Sequence, residues 1–428
     1  MKADSLRSRA MRAACVLAAL LVHDAALAAD PLPRIDAGKA GFSAAGLQRI
    51  DRFFADEVGR NRIPGAVVAI AREGRLVYYK AIGFQDKALS VPMKIDSIFA
   101  LASMTKPMVV VGALTLYEEG RLPLKSSLSE YFPQFKSIQV GVVDSAGQVR
   151  TEPARNPIFI QDLMRHTSGM TYGARGNTPV HTMWPASSSA VAYTMSAPEM
   201  MEALSKLPLL YQPGTTWDYG LSIDALGAVV EKVTGKSLSG ALDERVWSKV
   251  GMPDTSFAIA ADKRGRLAQP LASDPTTGKP QSIRLLREQP KLECGGGCAF
   301  GTAADYIRFG QMLLNGGVID GKRVLSPKTV RLMTSDHLGT NIRNNVAGTE
   351  AGRDGYGFGL GVAVRTQPGI AATNGSVGDY SWNGANGTIY WADPKEQLVV
   401  VTMTAGPGEI RKYYREQMAA LVYGAMEK

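Results

Sequence analysis
The stretch Ser103-Met104-Thr105-Lys106-Pro107-Met108-Val109-Val110-Val111 decides how the rest of the chain is read. Ser103 and Lys106 stand three residues apart at the start of an apolar run. On a helix, residues i and i+3 share a face, so the lysine lies beside the serine. A helix N-terminus favours negative charge developing on the serine oxygen. A serine hydroxyl is a weak nucleophile until a base takes its proton. A lysine in a partly apolar pocket can take that role. The pattern alone is common, and a helix-capping serine with a solvated lysine is the plain alternative.

Working outward, residues 104–118 read as a helix that is apolar nearly all round (Val109, Val110, Val111, Leu114, Leu116) and therefore buried. Pro107 falls in its first turn, where backbone N–H groups lack helical partners. Gly120 is the expected stop. Upstream, Leu47, Ile50, Phe54 and Val58 recur at helical spacing, with Ser43 as the N-cap of a helix over 43–59. Pro64-Gly65 breaks the chain. Residues 66–71 and 76–81 then predict a strand pair joined by a turn at 72–75.

Downstream, about 120–300 reads as helix and loop, with a clear helix at 224–233 ending at Gly235. Residues 171–196 have no consistent period and suit an irregular loop lining a cleft. The last third returns to strands at 356–364, 387–391 and 397–404, and a helix closes the chain from about 409 to 426. The class is α+β. Early and late strands are expected to share one antiparallel sheet flanked by helices, with a mainly helical lobe beside it and the cleft between.

Two further elements carry chemistry. In Pro213-Gly214-Thr215-Thr216-Trp217-Asp218-Tyr219, the tyrosine follows a turn and precedes a helix. Tyr219 can then point into a cleft and share a proton with Lys106. The alternative is a core tyrosine with a satisfied hydroxyl. In Trp382-Asn383-Gly384-Ala385, a sheet edge can offer the Ala385 N–H beside that of Ser103, and together they would hold an oxyanion. Gly384 lets the backbone come close. A simple sheet-edge turn with a packed tryptophan is the alternative.

Composition limits the remaining choices. The chain has 428 residues, 45% hydrophobic and 20% charged, which excludes a disordered tail protein. The net charge of +9 is scattered, with no long Lys/Arg run, so nucleic acid is not an expected partner. Lys2, Arg7, Arg9 and Arg12, the apolar run 15–22 and Ala26-Leu27-Ala28 read as a signal peptide over 1–28. The apolar run is too short for a membrane span. A periplasmic or secreted chain is therefore expected, with 29–428 as one two-lobed domain: sheet lobe about 35–119 and 300–428, helical lobe about 120–299. Arg12, three residues before Cys15, argues against lipidation there.

Cys294 and Cys298 then remain as an even pair around three glycines, a disulfide candidate in an oxidising compartment. His166, His181 and His337 are far apart, and no H-E-x-x-H occurs, so no metal is expected. His166 is read as a packed structural residue and Asp218 as a solvated turn-former. There is no G-x-S-x-G elbow.

Taken together, Ser103, Lys106, Tyr219 and the late tripeptide resemble the serine β-lactamase and penicillin-binding-protein superfamily. They are most similar to its class C-like branch and to the family VIII carboxylesterases. Arg165-His166-Thr167-Ser168-Gly169, Gly251-Met252-Pro253-Asp254-Thr255-Ser256-Phe257 and Gly301-Thr302-Ala303-Ala304-Asp305-Tyr306 also look like the family. The resemblance implies a β-lactamase/transpeptidase-like fold, Ser103 as nucleophile, Lys106 and Tyr219 as its base pair, and no cofactor.

Two departures matter. A class C β-lactamase carries Tyr-x-Asn, and here Leu221 stands in the third place. It also carries Lys-Thr-Gly, and here Trp382-Asn383-Gly384 stands there. That lysine meets the antibiotic carboxylate, and its loss removes charge-assisted hydrogen bonds. The departures look like the esterase branch. The expected substrate is a short-chain, uncharged acyl ester, with Trp382 as an apolar wall and Asn383, Gly384 and Leu221 lining the pocket. The alternatives on the same fold are β-lactamase, D-amino-acid peptidase or amidase, and transacylase. A non-catalytic cell-wall binding protein is the alternative of another class.

Overall fold
The computed structural model describes residues 30–283, 290–349 and 352–427. The expected signal peptide lies outside them. Helix α1 (Ala44–Gly59) starts where Ser43 caps it, the Ser43 side chain accepting from the Gly46 N–H. Strands β1 (Gly65–Arg72) and β2 (Arg75–Asp86) form a hairpin, with β3 (Val91–Pro92) beside it. The hairpin turns at Glu73-Gly74, both at positive φ, which matches the twist of the flanking strands.

A turn of 3₁₀ helix (Ala102–Met104) leads into α2 (Thr105–Glu118), whose residues from Thr105 to Leu116 are all buried. The middle region holds a hairpin that the sequence reading passed over, β4 (Gln139–Val143) with β5 (Val149–Pro153). Helix α3 (Ser222–Thr234) packs on α2 and ends at Gly235 in the left-handed region. Helix α4 (Ala303–Leu314) follows. The segment 171–196 is irregular backbone broken by three short helical turns.

The expected strand over 356–364 is two strands, β6 (Tyr356–Phe358) and β7 (Ala363–Arg365). Gly361 at φ +79 and the Gly359 N–H to Val362 carbonyl bond (2.8 Å) turn the chain between them. Strand β8 (Tyr380–Asn383) contains Trp382 and Asn383, so the tripeptide ends a strand rather than merely preceding one. Strands β9 (Ile389–Asp393) and β10 (Leu398–Thr404) and helix α5 (Ile410–Tyr423) complete the chain.

The sheet has eight antiparallel strands in the order β6-β7-β8-β9-β10-β1-β2-β3. Its centre joins the two ends of the sequence: Ala66 pairs with Thr404 and Arg72 with Leu398. Side chains alternate between two cores. Ala66, Val68, Ile70 and Val400 meet Phe54 of α1 and Tyr414 and Met418 of α5. Val67, Ala69, Val399 and Val401 face the larger core, which takes in α2, α3 and α4. Both faces are covered, so β1 and β10 read as nearly unbroken apolar runs. The short pair Phe99–Ala100 with Phe300–Gly301 ties the start of the 3₁₀ turn to the start of α4.

Candidate active site
Ser103 is held in its 3₁₀ turn by neighbours from distant parts of the chain. Ala102, just before it, sits at φ +46, a left-handed conformation costly for a residue with a Cβ. The surroundings fix it there. The Thr105 hydroxyl donates to the Ala102 carbonyl (2.7 Å) and accepts from the Ala299 N–H (3.0 Å). The Leu101 N–H donates to the Ala299 carbonyl (2.9 Å), and the Tyr306 hydroxyl to the Met104 carbonyl (2.8 Å).

Lys106 is fully buried. Its Nζ stands 3.3 Å from Ser103 Oγ, 3.1 Å from Tyr172 Oη and 2.5 Å from the Gly296 carbonyl oxygen. It also lies 4.5 Å from the centre of the Tyr219 ring. The hydroxyl at the lysine is therefore that of Tyr172, and Tyr219 offers its face. The Tyr219 hydroxyl instead accepts from the indole N–H of Trp382 (3.2 Å). This differs from the expected proton-sharing pair of Lys106 and Tyr219, because the Tyr219 ring is fixed from behind. It lies 4.8 Å from His166 and 5.2 Å from Trp382, centre to centre.

His166 is wholly buried, and burial beside Lys106 and Arg175 drives its pKa well below the ordinary value. It supports Tyr219 as an uncharged ring. Asp218 is not the solvated turn-former expected. It is largely enclosed, and burial raises its pKa.

Behind Lys106 lies a buried polar group. Tyr172 Oη is 2.7 Å from Ser188 Oγ, and Ser188 donates to Asp224 Oδ2 at 2.8 Å. Asp224 Oδ1 accepts from the Gly296 N–H (2.8 Å). The Asp224 pKa is raised, because burial outweighs the opposing pull of the Lys106 charge and of the bonds from Ser188 and Gly296. Burial, then the Asp224 charge, drives the Tyr172 hydroxyl well above the ordinary phenol value. Gly296 sits between Cys294 and Cys298, which form a disulfide with Cα atoms 5.3 Å apart. A Cβ on Gly296 would lie 2.2 Å from Asp224 Oδ2 and 2.4 Å from Ser188 Oγ, so only glycine fits.

On the other side, a Cβ on Gly384 would lie 2.2 Å from the Leu101 carbonyl oxygen. The sheet edge thus rests directly on the backbone that precedes Ser103. Ser103 and Ala385 both line a cleft of about 510 Å³ that also takes in Tyr172, Tyr219 and Gly296. A side recess of about 130 Å³ shares Ser103, Tyr219 and Ala385 with it and is walled by Trp382 and Asn383. Arg415 lines this recess and donates to the Gly384 carbonyl (2.6 Å); burial pushes its guanidinium down to about 9. Leu221 is not a pocket residue. It is fully buried in the larger core, where it precedes α3.

Residues 50–424 match the protein family described as Beta-lactamase. The chain belongs to the β-lactamase family. Protein Rv1367c of Mycobacterium tuberculosis (strain ATCC 25618 / H37Rv) is 35% identical over 351 residues, 79% of this chain and 85% of that one. Esterase EstB of Burkholderia gladioli is 28% identical over 382 residues, covering 83% of this chain and 89% of its own. The solved structure of EstCE1, described as a hydrolase with promiscuous acyltransferase activity, superposes with a TM-score of 0.72. It is 26% identical and covers 89% of this chain and 99% of its own. The fold is thus the β-lactamase/transpeptidase-like one.

Sequence reasoning brought Ser103, Lys106, Tyr219, Trp382, Asn383 and Ala385 to one cleft. It missed Tyr172, Ser188, Asp224 and the Gly296 backbone. One signal was available: Asp224 is a carboxylate between Ile223 and Leu226 on the apolar side of a predicted helix. A buried carboxylate needs partners, and those partners mark a polar site.

Proposed function
We propose that the chain is a serine hydrolase, close to the family VIII carboxylesterases, that cleaves short-chain carboxylic esters through an acyl-enzyme on Ser103. The observation that carries this reading is the Ser103 Oγ to Lys106 Nζ distance of 3.3 Å, with Ser103 lining the cleft and Lys106 buried behind it. Such a contact is what general-base activation of a hydroxyl requires. Ser103 gives its proton to Lys106 as Oγ bonds to the ester carbonyl carbon. The N–H groups of Ser103 and Ala385 hold the resulting oxyanion. The ester C–O bond breaks as Lys106 gives that proton to the leaving alcohol, with the Tyr219 hydroxyl, at the cleft wall, donating a hydrogen bond to the alcohol oxygen. Water then loses a proton to Lys106 and attacks the acyl carbon, the bond from that carbon to Ser103 Oγ breaks to release the carboxylic acid, and the proton on Lys106 returns to Ser103. No cofactor enters the cycle.

The ester class is supported by the likeness to EstB and by Trp382 at the recess wall, where a β-lactamase would carry a lysine. A second reading, transfer of the acyl group to an alcohol in place of water, is favoured by the likeness to EstCE1. We read residues 1–28 as an export signal and the remainder as one two-lobed catalytic domain in the periplasm or outside the cell. The Cys294–Cys298 bond suits that compartment.

The test is hydrolysis of p-nitrophenyl butyrate by the purified protein, beside Ser103→Ala and nitrocefin. Ester turnover that vanishes in the variant, with little nitrocefin cleavage, supports the reading. Retained ester turnover in Ser103→Ala overturns it. Fast nitrocefin turnover with poor ester turnover replaces it with a β-lactamase. Added short alcohols that yield new esters would favour acyl transfer.

A further inference from the structure
Five groups behind Ser103 form a closed ring of hydrogen bonds, and one of them fixes the direction of the rest. Asp224, when ionised, can only accept. It takes the Gly296 N–H on Oδ1 and the Ser188 hydroxyl on Oδ2. Ser188 has one proton and has spent it, so toward Tyr172 it can only accept. The Tyr172 hydroxyl, 2.7 Å away, must then donate to Ser188. Its own oxygen is left to accept from Lys106 Nζ at 3.1 Å. Lys106 donates also to the Gly296 carbonyl, which closes the ring on the residue where it began.

The count at the lysine follows. In the state that acts as base, the lysine is an uncharged amine with two N–H bonds and one lone pair. Tyr172 and the Gly296 carbonyl take the two N–H bonds. The lone pair is left for the remaining neighbour, Ser103 Oγ. We propose that Asp224 is a positioning residue which, through Ser188 and Tyr172, orders this ring so that the Lys106 lone pair faces the Ser103 hydroxyl. The proposal rests on the serine-hydrolase reading above and adds a residue that never touches substrate. When Lys106 takes the serine proton, the same carboxylate faces the new ammonium and stabilises it across a buried, low-dielectric path.

Tyr219 presents its ring to Lys106, His166 lies behind Tyr219 as a neutral imidazole, and Arg175 stands over the outer face of Tyr219. Asp218, a second enclosed carboxylate next to Tyr219, faces Thr171 and Arg175.

Asp224→Asn reverses the order while keeping the shape. Its oxygen still accepts from Gly296, but its NH₂ now donates to Ser188. The Ser188 proton has then lost its acceptor at residue 224 and turns to the Tyr172 oxygen, its other partner in the ring, and Tyr172 turns its proton onto Lys106. The lone pair is occupied, and the base is silenced. Removing that proton should release it. Tyr172→Phe added to Asp224→Asn should therefore recover activity, whereas two merely structural losses would compound.

The readout is the second-order rate at which a fluorophosphonate probe labels Ser103, with p-nitrophenyl butyrate kinetics over pH beside it. Asp224→Asn should label about 100-fold more slowly, with KM within about twofold. Asp224→Asn/Tyr172→Phe should regain at least about tenfold of that loss. Thermal melting of each variant shows whether it is folded. Wild-type labelling rates in Asp224→Asn overturn the proposal, as does a double variant slower than the single one. If Asp224→Asn does not fold, Ser188→Ala carries the test, since it cuts the ring between Asp224 and Tyr172, and an unchanged labelling rate in it overturns the proposal. A wild-type protein that fails to label at all, or labels equally after Ser103→Ala, overturns the hydrolase reading itself and the proposal with it.

Discussion
The indole N–H of Trp382 donates to the hydroxyl oxygen of Tyr219 at 3.2 Å. The tryptophan that stands at the place of a family lysine is therefore a polar partner as well as a wall. A donor at that oxygen makes the Tyr219 hydroxyl a stronger donor to the leaving alcohol. Trp382→Phe keeps a ring beside Tyr219 and Phe358 but removes the donor. It should lower kcat about tenfold, as expected for one lost hydrogen bond at a reacting group. In a Tyr219→Phe background the same change should have almost no effect. Steady-state rates on p-nitrophenyl butyrate in the four-member cycle check this, and additive losses would count against it.

Gly384 rests on the backbone before Ser103. A methyl group there would lie 2.0 Å from Thr388 Oγ1 and 2.2 Å from the Leu101 carbonyl oxygen. The carbonyl belongs to a pinned segment and cannot step aside. Gly384→Ala should lift the Ala385 N–H away from Ser103. The expected loss is ~100-fold in kcat, typical for one oxyanion donor, with a stability cost of about 1–3 kcal/mol from overpacking. Kinetics and urea unfolding of the variant measure both.

The Cys294–Cys298 bond closes a loop of few residues, so its entropic contribution to stability is about 2 kcal/mol. Its effect on rate should be larger than that suggests. The loop carries the Gly296 carbonyl bound by Lys106 and the Gly296 N–H bound by Asp224. Cys294→Ser/Cys298→Ser, or reduction of the wild type, should leave a folded protein with kcat down about tenfold. Equal rates with and without reductant, in protein shown by thiol titration to be reduced, would contradict this.

Asp305, in the first turn of α4, gives a pH signature. It is nearly wholly buried and accepts from Thr255 Oγ1 (2.7 Å) and the Asp254 N–H (3.0 Å). Burial raises its pKa from the ordinary 3.8 to about 7. The folded chain therefore binds this proton more tightly than the unfolded chain. Between pH ~4 and ~7 the folded state holds more protons, so stability falls as pH rises through that window. At full extent the loss is roughly 4 kcal/mol. Asp305→Asn cannot titrate. Urea unfolding across pH 4–7 should show wild type losing ground to the variant as pH rises, and a constant gap would refute the assignment.

Much of the fold is visible in the sequence, because hydrophobic period is a local property. Leu47, Ile50, Phe54 and Val58 mark α1, and the unbroken apolar run after Lys106 marks α2. The expectation of a strand over 356–364 failed because Gly361 breaks a run whose composition is strand-like throughout. The β4–β5 hairpin was missed because much of it is solvent-facing and polar, as in Arg150, Thr151 and Glu152. At the site, Ser103, Lys106 and Tyr219 were legible because their motifs are short. Leu221 was misplaced because side-chain direction at the entry to a helix depends on packing. Tyr172 and Ser188 carry no periodic or motif signal. Only the folded chain brings them to Asp224, from 52 and 36 residues away in sequence.

The central pairing of β1 with β10 joins residues near the start of the sheet to residues near the end of the chain. During synthesis Ser103 and Lys106 emerge long before β10 exists. Until then β1 has a partner on one side only, and its other edge is apolar backbone open to mispairing. The sheet, and with it the glycine edge that rests beside Ser103, can close only after the last strand arrives. A chain stopped short of Leu398 would therefore be an aggregation hazard rather than a partly active enzyme. Commitment to the native state is decided in the final strand and helix.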